Sequence, residues 1–424
     1  MRESFLHFIW QFQKFDNISI QTADGQSVQI FAIGQYNTDA GPDFLNAKLL
    51  IGDITWYGHV EIHLKSSDWN KHQHQHDRAY NNVVLHVVWE HDEEVQLKNG
   101  QTLPVIELKH RINPTLLKKC NELIKSPDVI ACASQFHEVR PIDRISMLDL
   151  IGIHRLKEKS AFILRLLEEN DGSWEDTTYQ VLAKNFGFKT NDEAFLKMAR
   201  KLDHKILIKH ADHLNHIESI VFGMAGFLEE ELDEYQMALK KDFEFFSKKY
   251  SLTEQKLISA EWKFLRLRPS NFPTVRLAQF SAFLSKNVKC FHQFIHFENL
   301  NEIKKLFDFE PSTYWRNHYD FNKKSKRTLN AIGNLSKDLI LINTVAPLLA
   351  AYAKYTDDYR FIDKAVDLLQ SIKAEKNHIS RMWENLGLRA NNAFESQAMI
   401  GLRNDFCLKK RCLSCKIGVS LINS

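Results

Sequence analysis

Residues 37–44 read Asn-Thr-Asp-Ala-Gly-Pro-Asp-Phe, and residues 58–69 read Gly-His-Val-Glu-Ile-His-Leu-Lys-Ser-Ser-Asp-Trp. Asp43 follows a Gly-Pro bend and opens the strand-like run Phe44–Ile51. Glu61, His63 and Lys65 lie on the next run, Ile54–Leu64 and its end, and Gly52-Asp53 between the two runs is a hairpin signal. Side chains alternate faces along a strand, so Glu61, His63 and Lys65 share one face. A hairpin register then brings the Asp43 carboxylate toward Glu61. Two carboxylates and a backbone carbonyl form a hard oxygen site suited to Mg²⁺ or Mn²⁺. Such an ion polarises a phosphoryl group. His63 or Lys65 would orient water or phosphate, with Asp39 and His72 in support.

Outward from this pair, the spacing predicts a helix over 3–13, a strand over 28–33, a short helix near 77–81 and a strand over 83–89. Val83–Trp89 (VVLHVVW) is apolar enough to be buried on both faces. Its His86 reads as a hydrogen-bonded core histidine. Asn99-Gly100 marks a tight turn. From about residue 140 the period becomes helical, as at Leu156, Ile163, Leu166 and Leu167. The expected class is α+β: an N-terminal mixed-sheet α/β domain over residues 1–110, a connector over 111–140, a large mostly α-helical region over 141–400, and a Cys-bearing tail over 401–424.

A chain of 424 residues exceeds one typical core. The net charge of +3 supplies no global field for nucleic acid, so any basic surface must be local. The start, MRESFLHFIWQFQKF, carries no export-signal pattern. Leu339–Ala353 is the longest apolar stretch, short for a bilayer and interrupted by Asn343 and Pro347, and reads as a buried helix. A cytoplasmic protein without membrane contact is expected.

Two further groups of potential ligands stand out. Asp68, His72, His74 and Asp77 crowd the stretch after the Glu-x-His run. Histidines at alternating positions suit Zn²⁺, with Glu61 as base, while the same segment also reads as a solvated loop. Cys407, Cys412 and Cys415 are spaced C-x4-C-x2-C, a ligand pattern for Zn²⁺ or an iron–sulfur cluster. Cys132 is the first candidate for a fourth ligand, ahead of Cys120, Cys290 or a histidine. In the helical region, Arg266, Arg268 and Arg276 interleave with Trp262 and Phe272, a mix that suits either phosphate contacts with base stacking or a packed interhelical loop. Tyr314-Trp315 followed by Lys323, Lys324, Lys326 and Arg327 repeats the theme.

The order helix, three strands, helix, strand, with Asp43 on the second strand and Glu61 on the third, resembles the PD-(D/E)XK nuclease superfamily. The resemblance implies a metal held by Asp43 and Glu61 and DNA as substrate. His63 occupies the position of the family's Lys, and Lys65 lies two residues further on. Some nucleases of that kind also carry one distant and three clustered C-terminal cysteines around an iron–sulfur cluster, which the count here resembles, although Cys132 follows the motifs rather than preceding them. Over its whole length the chain looks like a bacterial family known as a domain of unknown function. The blocks GQYNTDAGPDF, GHVEIHLKSSDW, HQHQHD, RLRPSNFPTVRLAQ and SQAMIGLRNDFCLKKRCLSCKIG carry that likeness.

Three functions follow from these readings. The first is a metal-dependent phosphodiesterase acting on DNA. The second is a non-catalytic nucleic-acid-binding or scaffold protein on a degenerate nuclease fold. The third is a zinc-dependent hydrolase built on His72, His74 and Asp77.

Overall fold

The computed structural model describes residues 2–37, 39–230, 233–326 and 332–423. It is α+β, with a six-stranded mixed sheet near the N-terminus followed by a mostly helical region. Two compact units are present: residues 1–148, 385–387 and 400–424 form one, and residues 149–384 and 388–399 form the other.

The first unit opens with helix α1 (Glu3–Gln11), whose Phe5, Leu6, Phe8, Ile9 and Trp10 are buried. The strands are β1 (Val28–Ala32), β2 (Gln35–Tyr36), β3 (Phe44–Ile51), β4 (Ile54–Lys65), β5 (Val83–Glu90) and β6 (Val105–Glu107). They are ordered β1-β3-β4-β5-β6, with β2 paired to β3. β3 and β4 form the expected antiparallel hairpin, Ile51 opposite Ile54. Gly52 makes the turn at φ +59°, which a residue without Cβ adopts at little cost. β4 then pairs in parallel with β5, Glu61 opposite His86. The parallel pairing needs a crossover, and residues 66–82 supply it with helix α2 (Asp68–Lys71) and two 3-10 turns.

Alternation along β4 and β5 decides what faces where. Val60, Ile62, Leu85 and Val87 join α1 in the main core. Glu61, His63 and His86 take the opposite face. There a smaller cluster of Trp69, Tyr80, Val83, Val95 and Leu103 covers the sheet. Gly58 permits the close approach of β5, since a Cβ there would lie 2.5 Å from the Asn82 carbonyl oxygen.

Helix α3 (Pro114–Lys125) follows, with Asn113 capping its first turn. Helix α4 (Pro141–Glu169) begins in this unit. The C-terminal stretch expected as a tail is folded: Leu413 and Ile422 are buried in the same core as α1 and α3. Apolar Ile417, Leu421 and Ile422 recur at helical spacing in the last helix, Lys416–Asn423, and that stripe is what draws it in.

The second unit contains α5 (Trp174–Phe186), α6 (Phe188–Lys201), α7 (His204–His210), α8 (Leu214–Met224), α9 (Glu234–Tyr250) and α10 (Pro273–Asn287), with further helices after them. The apolar helix over 334–356 is the one described helix long and apolar enough to cross a membrane, and most of its apolar window is buried inside the protein. It carries a π-helical turn at Leu341–Val345. Arg327 of the basic run lies outside the described residues.

Candidate metal centre

The site is built on the face of β4 and β5 turned away from the main core. Glu61 is 5 % exposed and His63 2 %. His63 makes contacts through both ring nitrogens: Nδ1 lies 2.8 Å from His86 Nε2, and Nε2 lies 3.1 Å from His72 Nδ1. The crossover after β4 returns over this face and delivers His72 and His74. Glu61 Oε1 lies 3.5 Å from His63 Nε2 and 3.4 Å from His74 Nε2. His63, His72 and His74 each place a ring nitrogen within 4.8 Å of the other two.

Burial, and then the neighbouring imidazoles, push His63 down to about 2, so it is neutral at physiological pH. Burial likewise pushes His86 down to about 3. A neutral imidazole has one N–H. If Nδ1–H donates to His86, the lone pair on Nε2 points toward His72 and Glu61. A lone pair facing a carboxylate oxygen is repulsive unless a cation or a proton lies between them. His74 Nε2 is buried beside that oxygen without a hydrogen-bond partner. The spacing suits a cation. Metal–ligand arms of about 2.0–2.1 Å in a tetrahedron put ligand atoms roughly 3.3 Å apart. The three separations of 3.1, 3.4 and 3.5 Å match that edge. Imidazole nitrogens favour Zn²⁺, Mn²⁺ or Fe²⁺ over Mg²⁺.

Asp43 stands beside this group. Its backbone N–H donates to Glu61 Oε2 at 3.1 Å, and its own Oδ2 accepts from Ile62 N at 3.0 Å. Burial first, and the Asp43 charge second, push Glu61 up to about 9. Without a cation, therefore, Glu61 holds a proton at neutral pH. Helix α1 contributes two residues that strand patterning did not reveal. His7 Nε2 lies 3.3 Å from Asp43 Oδ2, and burial holds the Glu3 carboxyl above its ordinary range. Their i, i+4 spacing on one helix face was the available signal. Tyr80 stacks on His74 with ring centroids 3.9 Å apart, and Trp69 packs edge-on against it.

Over residues 3–378 the chain matches the family described as protein of unknown function (DUF2851). The chain belongs to this family. Neither the curated proteins nor the solved structures contain a significant match. The family match spans every residue of the histidine site and stops short of the last three cysteines.

Of the residues expected to act, the structure brings Asp43, Glu61, His63, His72 and His74 together and places the others elsewhere. Lys65 is half-exposed, with Nζ 3.4 Å from Asp92 Oδ2. Asp68 accepts the Lys65 N–H at 3.1 Å and pairs with Lys71 at 2.8 Å. Asp77 caps a 3-10 turn by accepting the Ala79 N–H at 2.9 Å. Asp39 is exposed on the loop before β3, its N–H donating to Asn37 Oδ1. Arg266 and Arg268 are exposed, whereas Arg276 is 7 % exposed.

The four cysteines expected as a ligand set all lie in the first unit, but among the described residues they form no group whose ligand atoms come within 4.8 Å of one another. Burial raises the thiols of Cys132 and Cys407. Cys415 precedes the helix Lys416–Asn423, and its backbone carbonyl accepts the Val419 N–H at 2.8 Å. A Cβ on Gly418 would meet the Cys412 carbonyl oxygen at 2.2 Å, so glycine lets the helix close on that turn. Cys120 is buried in the main core and Cys290 in the second unit.

Proposed function

We propose that this protein is a metal-dependent hydrolase of phosphodiester bonds, acting on DNA. The observation that carries it is the convergence of His63, His72 and His74 on the Glu61 carboxylate at ligand-edge separations. A divalent transition-metal ion held there would polarise a phosphoryl oxygen and lower the pKa of a water. His86 holds the His63 ring by its Nδ1 side, the outer-shell arrangement usual for metal-bound histidines. Asp43 and His7 form an acid–base pair at the edge of the site, suited to orienting water and moving its proton.

The phosphodiester reading is supported by a resemblance of element order: a helix, an antiparallel trio β1-β3-β4, a crossover and a parallel β5 resemble the PD-(D/E)XK plan, in which Asp43 and Glu61 would be the carboxylates. His63 in place of Lys changes the preferred ion from Mg²⁺ toward Mn²⁺ or Zn²⁺. Cys132, Cys407, Cys412 and Cys415 would hold a separate structural zinc or iron–sulfur centre.

The experiment is cleavage of labelled single- and double-stranded DNA with Mn²⁺, Zn²⁺ or Mg²⁺, comparing wild type with Glu61→Ala. Metal-dependent cutting lost in the variant is expected. Metal binding by wild type without cutting of any DNA would overturn the substrate and favour a hydrolase of small molecules. Absence of metal binding at the histidines would favour a non-catalytic scaffold.

A further inference from the structure

Arg276, in the first turn of α10, is buried, and among the described residues no carboxylate pairs with it. Its Nη1 donates to Gln279 Oε1 at 2.8 Å, and its Nη2 donates to Asn271 Oδ1 at 2.6 Å and to Ser336 Oγ at 3.2 Å. All three acceptors are neutral. Nε is buried with no hydrogen-bond partner. The guanidinium lies over the Phe188 ring at 4.1 Å. Burial alone pulls its pKa down, and no carboxylate opposes the shift. An uncompensated charge in a protein interior is costly, and a stable fold normally pairs it.

The space beside it explains the arrangement. A cavity of about 270 Å³ is lined by Arg276, Lys189, Thr190, Asn191, Asn271 and Ser336 among others, and among the described residues its lining contains no carboxylate. Lys189 is exposed at this cavity and adds a second positive charge. The cavity also lies at the N-terminal end of a 15-residue helix, with Pro273 in its wall. That end carries the partial positive charge of the helix dipole.

We infer that this cavity in the helical unit binds a small oxyanion, a phosphate or carboxylate group carried on a compact organic body. Its guanidinium would bind the oxyanion through the Nη1 N–H that Gln279 leaves free. The size sets an upper limit on the ligand. Pockets for drug-sized ligands run from about 300 to 1,000 Å³, so a nucleotide or a nucleic-acid strand does not fit. Thr190 and Asn271 offer neutral donors to the remaining oxygens. This site is independent of the metal centre.

The test is calorimetric titration of the full chain with inorganic phosphate and, in parallel, acetate, at ionic strength held constant with chloride. Saturable binding of at least one is expected, and which of the two binds separates a phosphate-bearing from a carboxylate-bearing ligand. Arg276→Gln should weaken it roughly tenfold or more. Lys189→Glu, at an exposed position that leaves the fold intact, should weaken it in the same direction. If neither anion binds, or if Lys189→Glu binds as wild type does, the inference is overturned.

Discussion

At the candidate metal centre, a cation would compete with a proton for Glu61. In the metal-free protein two effects oppose each other with pH. His63 and His86 have folded values of about 2 and about 3 against an ordinary 6.5, so the native state binds fewer protons and loses stability as pH falls below 6.5. Glu61 has a folded value of about 9 against 4.5, so the native state binds more protons and loses stability as pH rises from 4.5 toward 9. Below 6.5 two histidines outweigh one carboxyl, so thermal stability of metal-free protein should peak near pH 6.5. Adding Zn²⁺ or Mn²⁺ should remove the alkaline decline, because Glu61 is then charged and paired. A melting curve that is flat with pH in the metal-free protein would contradict this. Ligand and supporting roles are separable by titration. His74→Ala should cost metal affinity a hundredfold or more, whereas His86→Gln, one shell out, should cost roughly 10–100-fold.

Among the elements, the crossover between β4 and β5 does most to make the site. A plain hairpin would leave Glu61 and His63 facing solvent. The parallel pairing obliges the chain to return over that face, and α2 with its 3-10 turns carries His72, His74 and Tyr80 back across it. Gly58 sets how closely β5 approaches. Gly58→Ala should therefore destabilise the unit by about 1–3 kcal/mol, as overpacking does, and weaken metal binding with it. A wild-type urea midpoint in that variant would show the contact to be tolerated. The hairpin at Gly52, the buried run of β5 and the turn at Gly100 were legible from β-propensity and turn residues, because both are local properties. The two-residue β2 was not, because so short a strand exists only through pairing with β3.

In the molecule as a whole, the C-terminal stretch has the largest consequence. Residues 400–424 belong to the unit that starts the chain, and they place three cysteines in the unit that holds Cys132. If these thiolates hold a metal, Cys412→Ser should release it and lower the melting temperature of that unit, while leaving the histidine-bound ion in place; metal analysis of the variant and wild type checks both. The α+β class, the change to helical period near residue 140 and the buried nature of 339–353 could be read from the string, because hydrophobic periodicity reports directly on which face is buried. So could the ligand types: carboxylate and imidazole on one strand face, cysteines at metal spacing. Spacing could not tell which of them meet. Lys65 and Asp77 sat as close to Glu61 in sequence as the residues that join it, yet Lys65 turns to Asp92 and Asp77 to a turn amide. His7 comes from a helix more than fifty residues upstream of Glu61. Local pattern sets the face on which a side chain lies, but only long-range packing decides which faces come together and which polar groups are already paired within their own turn.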